Sequence, residues 1–312
     1  VKQAIIAEVF NRKGNCTERI DWVMPVVFGA IAPHGFPIID DLSEDAEGAL
    51  NTRAAMHELG RRCAEASPDV LVIAGPHGVR VDGHICLADV SRGAGTLRWE
   101  ERQIEMNVPV DLAMTDAITA AARKRDVPIA LAGYAGNRRE QSVIPLDWGM
   151  ITPLWFLGHP RNVAGSGDAL GDKPDEDIGP PAVIITPSRS LPRESMVEFG
   201  RAVADAAQGD PRVAFIASCD WAHTHRDDGP YGFHEAASKV DELVVNAVRE
   251  NDPGRLIELS EEDVSNAAID GLWQTLMLAG IMESVPMEVE VLSYEAPTYY
   301  GMLVASYKPV AA

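Results

Sequence analysis

Asp69-Val70-Leu71-Val72-Ile73-Ala74-Gly75-Pro76-His77-Gly78 is the stretch that decides the fold. A near-continuous apolar run without polar alternation reads as a strand buried on both faces, the mark of a parallel sheet covered by helices. Val26-Val27-Phe28-Gly29-Ala30-Ile31-Ala32 is a second such run, and it too gives out into a Pro-His-Gly tripeptide, Pro33-His34-Gly35. Between the two, from Ser43 to Ala66, the residues Leu50, Ala54, Met56, Leu59 and Cys63 recur at helical spacing among charges. This predicts an amphipathic helix with Ser43 as its N-cap. Strand, helix and strand make a βαβ unit, so a parallel pair is expected, with His34 and His77 aimed at one place from adjacent strand ends. Ligands of open α/β sheets gather at the carboxyl ends of the strands.

Working outward, further strands are predicted at 84–88, 129–132, 182–185 and 213–217, with helices near 109–124, 193–207 and 234–250. The alternation argues for one large α/β domain with a mainly parallel central sheet flanked by helices. Helices around 253–283 are followed by two strand-like runs, 287–292 and 299–307, which suit an antiparallel pair toward the C-terminus. Residues 1–24 read as an N-terminal extension to a catalytic domain over 25–312. The Gly- and Pro-rich stretch 165–181 reads as a flexible surface insertion.

Hydrophobic residues are 46% of the 312, enough for a sizeable core. The 47 acidic side chains against 27 basic ones give a formal charge of −20, which argues against nucleic acid or an anionic membrane surface as partner. No apolar stretch approaches the roughly 18 residues of a membrane span. Cys16, Cys63, Cys86 and Cys219 have no CxxC spacing, so neither a zinc knuckle nor a disulfide framework is expected, and a reducing, cytoplasmic setting is the plain inference.

Pro33 and Pro76 fix their own φ and bias the preceding residues toward extended geometry, while Gly35 and Gly78 allow sharp turns just after each imidazole. Such flanking suits two rigidly presented metal ligands, with a carboxylate as the default third. Two histidines and one carboxylate are the ligand set of non-haem iron(II) oxygenases, and zinc hydrolases use it as well. A third strand-end cluster, Cys219-Asp220-Trp221-Ala222-His223-Thr224-His225, follows Val213-Ala214-Phe215-Ile216-Ala217. At i and i+2 of an extended segment His223 and His225 share a face, and His223 suits general acid/base work. His84, just after the second Pro-His-Gly turn, is a candidate for lining the cleft. Arg80 and Arg226 either pair with a substrate carboxylate or stand as solvated charges. His57, His159 and His234 read as structural.

Together with Pro145-Leu146-Asp147-Trp148-Gly149-Met150-Ile151-Thr152-Pro153-Leu154 and Ser218-Cys219-Asp220-Trp221-Ala222-His223, the two Pro-His-Gly motifs resemble the class III (protocatechuate 4,5-dioxygenase-like) extradiol ring-cleavage dioxygenases. The motifs run in order from about residue 26 to the C-terminus. The His-x-His form of the last is similar to the catalytic subunit of 2-aminophenol 1,6-dioxygenases. The resemblance implies Fe(II) held by His34 and His77, His223 as acid/base and His225 as a substrate contact. It also implies a catechol or o-aminophenol substrate, O2 as co-substrate, and a homo-oligomer or a complex with a related subunit. Zn or Mn is the alternative metal. The family's glutamate ligand corresponds to the stretch around Asp270, with Glu262 and Glu283 as alternatives. Trp148 stands where many members have histidine; it can stack on a substrate but cannot shuttle a proton. The rival readings are a zinc hydrolase on the same scaffold and a non-catalytic binding or structural subunit.

Overall fold

Four apolar runs become the middle of a sheet because both of their faces are covered. In the computed structural model, residues 4–10, 16–22, 26–174, 178–209 and 211–310 are described, with side chains from residue 26 onward. Strands β1 (Ala4–Phe10) and β2 (Cys16–Trp22) form an antiparallel hairpin. β3 (Val26–Ala32) leads through α1 (Leu50–Ala66) to β4 (Val70–Ala74) and β5 (Ile85–Ala88). A hairpin of β6 (Arg92–Trp99) and β7 (Arg102–Pro109) follows, then α2 (Leu112–Lys124), β8 (Ile129–Ala132), β9 (Val143–Pro145) and α3 (Trp148–Phe156). The second half runs β10 (Ala182–Thr186), α4 (Arg193–Ala206), β11 (Val213–Ser218), α5 (Ala236–Arg249), α6 (Glu261–Ala267) and α7 (Leu272–Ser284). It closes with β12 (Met287–Glu295) and β13 (Met302–Pro309).

The main sheet has the order β12-β13-β3-β11-β4-β10-β5-β8. Its centre, β3, β11, β4 and β10, is parallel, so four carboxyl ends open on one side. β13 and β5 flank it antiparallel. The predicted α/β architecture with antiparallel C-terminal strands is therefore observed, with one correction. β3 and β4 are parallel but not neighbours, because β11 lies between them, and the residues that follow β11 thus leave the sheet between the strands that lead to His34 and His77.

Alternation along β4 divides the core. Val70, Val72 and Ala74 pack toward Phe199, Val203, Val244 and Leu276, while Leu71 and Ile73 pack toward Met56, Leu59, Ile151 and Leu154. On the first side α4 and α7 approach backbone to backbone: a Cβ on Gly200 would lie 1.9 Å from the Met277 carbonyl oxygen, and one on Gly280 would lie 2.0 Å from that of Val197. On the second side lies a three-stranded sheet, β7-β6-β9, which the sequence reading does not contain.

α1 begins at Leu50, not at Ser43, whose hydroxyl instead accepts from the Ala46 N–H (3.2 Å) in a preceding turn. The carboxylate that meets the first turn of α1 comes from β12: Glu295 Oε1 accepts the Thr52 N–H at 2.7 Å. Of the extension read over 1–24 only the hairpin backbone is described, and residues 175–177 of the stretch 165–181 lie outside the described residues. The described part of that stretch bonds to the second sheet, with Arg92 donating to the Gly171 carbonyl (2.7 Å) and Asn107 to that of Ser166 (3.1 Å). No helix among the described residues is long and apolar enough to cross a membrane.

Candidate metal centre

His34 follows β3 and His77 follows β4; β11, ending in Ser218-Cys219-Asp220, separates the two strands, while the two rings meet edge to face at 5.0 Å. The two glycines of the Pro-His-Gly turns act differently. Gly78 takes φ +90°, open to glycine and costly for other residues. Gly35 has an ordinary φ of −58°, and what it supplies is room: a Cβ there would sit 2.3 Å from the Tyr300 hydroxyl. Asp270 arrives from the other side, in the tight connection between α6 and α7. Backbone donors fix both carboxylates. The His34 N–H donates to Asp220 Oδ1 (3.1 Å), and the Asp220 N–H donates to Asp270 Oδ1 (3.1 Å).

Three imidazoles converge on one oxygen. Asp270 Oδ2 lies 3.5 Å from His34 Nε2, 3.8 Å from His77 Nε2 and 3.8 Å from His223 Nε2. One ligand atom each from His34, His77 and Asp270 falls within 4.8 Å of the others, close enough to share a metal ion. Asp220 Oδ2 is 3.3 Å from His34 Nε2.

Hydrogen bonds assign the tautomers. Ser218 Oγ has a single proton and donates it to the Gly149 carbonyl at 2.5 Å. Toward His34 Nδ1, 3.1 Å away, it must therefore accept, which leaves Nδ1 protonated and Nε2 directed at the carboxylates. The His223 Nδ1–H donates to the Ala268 carbonyl (2.9 Å), so its Nε2 lone pair faces the cleft. Burial works against charge on His34, but Asp220 and Asp270 outweigh it and raise the imidazole to about 9. Burial, with help from His34, lowers His77 to about 4 and keeps it neutral, the form a metal requires. Asp270 stays below the usual carboxylate range despite its burial, chiefly because of His34. Burial pushes Asp220 up against the pull of His34. A pair of buried carboxylates beside imidazoles is a donor set that fits a divalent cation, whose binding displaces the Nε2 proton of His34.

The model of a family described as the catalytic LigB subunit of aromatic ring-opening dioxygenase matches residues 29–305. The chain belongs to the LigB family. Protein CA_C1420 of Clostridium acetobutylicum is 23% identical over 268 residues, covering 85% of this chain; the chain spans 54% of that relative's length. An uncharacterized protein of Escherichia coli K12, JW3007, shares the fold, with a TM-score of 0.51, 15% identity, and coverage of 80% of this chain and 91% of that one.

In this LigB chain the centre floors a cleft of about 730 Å³. Trp148, 43% exposed, lies 4.6 Å from the His77 ring, and Tyr300 stacks on His223 at 5.7 Å and 23°. Arg80 is on the rim. Other sequence candidates lie elsewhere. His225 turns to α5, its Nε2 2.8 Å from Asp241 Oδ2, and does not line the cleft. The shared face expected for His223 and His225 requires an extended strand. The backbone here bends at His223, and only His225 pairs, in an isolated bridge with Phe233. His84 is exposed, its Nδ1–H donating to the Asp82 carbonyl of its own turn (3.2 Å), again outside the cleft.

Glu262 is exposed on α6, and Glu283 pairs with Arg201 on the surface, so neither reaches the centre. Arg226 pairs with Asp228 at 2.7 Å. His57 pairs with Asp40 at 2.7 Å, His159 meets the Pro180 carbonyl, and His234 accepts the Ala236 N–H. Asp220, Ser218, Tyr300 and Arg189 were given no role by sequence reasoning. For Asp220 a signal existed, a carboxylate two residues past the end of an apolar strand and three before a histidine.

Proposed function

We propose that this protein is an extradiol dioxygenase that holds Fe(II) through His34, His77 and Asp270 and opens the ring of a catechol or o-aminophenol with O2. The observation that carries the reading is the convergence of three Nε2 atoms on Asp270 Oδ2 at the floor of an aromatic-walled cleft. When bound, Fe(II) supplies the redox chemistry by which dioxygen reacts with an aromatic ring.

The protein's own groups do the rest. His223, its Nδ1–H tied to Ala268, accepts a proton at Nε2 from the substrate hydroxyl or amino group and returns it after ring opening. Tyr300 holds the plane of that imidazole by stacking. Trp148 offers a ring face beside His77 for the substrate and takes no part in proton transfer. Ser218 keeps the His34 lone pair on the ligand side. Both oxygen atoms of O2 enter the product, and the bond broken lies beside the two ring heteroatoms, not between them.

The test is oxygen uptake by anaerobically reconstituted Fe(II) protein with catechol, protocatechuate and 2-aminophenol, read also as the yellow ring-opened product. Uptake with Fe(II) and none with Zn(II) supports the reading and sets aside a zinc hydrolase. An iron-loaded sample that is silent with all three substrates, while its metal content is stoichiometric, refutes it.

A further inference from the structure

Two guanidiniums face the cleft without a carboxylate between them. Arg80, after the second Pro-His-Gly turn, and Arg189, in the connection from β10 to α4, both line it, and neither makes an ion pair among the described residues. Other arginines of this acidic chain do otherwise: Arg61, Arg62, Arg125, Arg139, Arg201 and Arg255 all sit on carboxylates. Of the cleft's acids, Asp220 and Asp270 sit on the imidazoles, and Glu47 pairs with neither arginine among the described residues.

The two cations are also built into place. The Arg189 guanidinium lies over the ring of buried Trp273 at 4.7 Å, which fixes its plane and leaves its edge donors free. Its neighbours Ser188 and Ser190 both accept from the Gly83 N–H, at 3.0 and 2.9 Å, and hydrogen-bond each other at 2.9 Å. These bonds lace the Arg189 loop to the turn that carries Arg80, so two like charges are held near each other. Although Arg189 is exposed as a whole, its guanidinium end is enclosed. That enclosure, and after it Arg80, holds it below its ordinary value against the opposing pull of Asp270. An anion placed between them would relieve that repulsion.

We infer that Arg80 and Arg189 form an anion subsite, and that the ring this enzyme opens carries a carboxylate, either on the ring or on a short side chain. The class of ring rests on the function proposed above; the anion subsite rests only on these arginines. A bare catechol or 2-aminophenol would leave the subsite unfilled.

Anaerobic calorimetric titration with catechol, 3,4-dihydroxybenzoate and benzoate tests this on the metal-loaded wild type, Arg80→Ala, Arg189→Met, the double variant and Arg189→Lys. Charge-assisted bonds to a carboxylate give an expected preference for 3,4-dihydroxybenzoate over catechol of about tenfold or more in the wild type. The preference should fall to about one in the double variant, survive in part in Arg189→Lys, and leave metal content unchanged. Benzoate should bind the wild type and lose that binding in the double variant. Equal affinity of the wild type for the two catechols, or an unchanged preference in a folded double variant, overturns the subsite. A carboxylate preference accompanied by no oxygen uptake upholds the subsite and refutes the dioxygenase reading instead.

Discussion

Replacing Ser218 by Ala tests the tautomer argument directly. The hydroxyl is buried and makes two bonds, accepting from His34 Nδ1–H at 3.1 Å and donating to the Gly149 carbonyl at 2.5 Å. Ser218→Ala leaves a donor and an acceptor without partners, at about 1 to 3 kcal/mol each, so the metal-free protein should lose about 2 to 6 kcal/mol of unfolding free energy in urea. The imidazole also becomes free to carry its proton on Nε2, where it blocks the ligand position. Removing such an orienting partner typically weakens metal binding about 10- to 100-fold, or about 1.4 to 2.8 kcal/mol. Competition against a chelator of known affinity, on protein verified as folded, reads the second effect apart from the first. A variant that loses stability yet binds metal as tightly as the wild type refutes the claim that Ser218 sets the His34 tautomer and leaves it a packing residue only.

His223→Gln should lower the rate of oxygen uptake by about two to four orders of magnitude with metal content intact, measured by electrode and atomic emission. Gly200→Ala forces a Cβ to within 1.9 Å of the Met277 carbonyl and should cost about 1 to 3 kcal/mol in urea unfolding, since α4 and α7 must separate. In the metal-free protein His34, raised to about 9, contributes stability that is full below about 6.5 and fades as pH climbs through 9. His77, lowered to about 4, contributes stability that is lost as pH falls from about 6.5 to 4. Thermal melts across pH should therefore peak near neutrality for the metal-free form. A curve rising steadily to pH 9 would contradict the field assigned to Asp220 and Asp270.

The parallel strands were legible because burial on both faces writes an unbroken apolar run, and His34 and His77 were legible because each follows such a run directly. What local pattern does not carry is strand order. Nothing in Val213–Ser218 says that β11 threads between β3 and β4, since that placement follows from how crossovers pack on the whole sheet. The β6–β7 hairpin was invisible for a related reason. Arg92-Gly-Ala-Gly-Thr-Leu-Arg-Trp looks like a loop, and its glycines make sense only once Leu146 is seen against them: a Cβ on Gly93 would lie 2.6 Å from Leu146 Cδ2, and one on Gly95 would lie 2.3 Å from its carbonyl oxygen. Tyr299 and Tyr300, read as the start of a strand, lie in the loop before β13, where they serve the cleft.

The position of β11 also explains why a site of this charge is stable in an acidic chain. The His34 and His77 rings meet edge to face at 5.0 Å, and were β3 and β4 adjacent no strand end would lie between them to hold carboxylates. With β11 interposed, one strand end delivers Ser218 to His34 Nδ1 and Asp220 to the His34 N–H, and the Asp220 N–H in turn receives Asp270. Each carboxylate is thus oriented by a backbone donor before any cation binds, and mutual repulsion between Asp220 and Asp270 is offset by the imidazoles. On the reading proposed above, that chain of bonds places the short side chain of Asp270 for the role that the resemblance gives to a glutamate. Asp270 need not extend into the cleft, because the β11 end and the α6–α7 connection bring its backbone to the floor of the site.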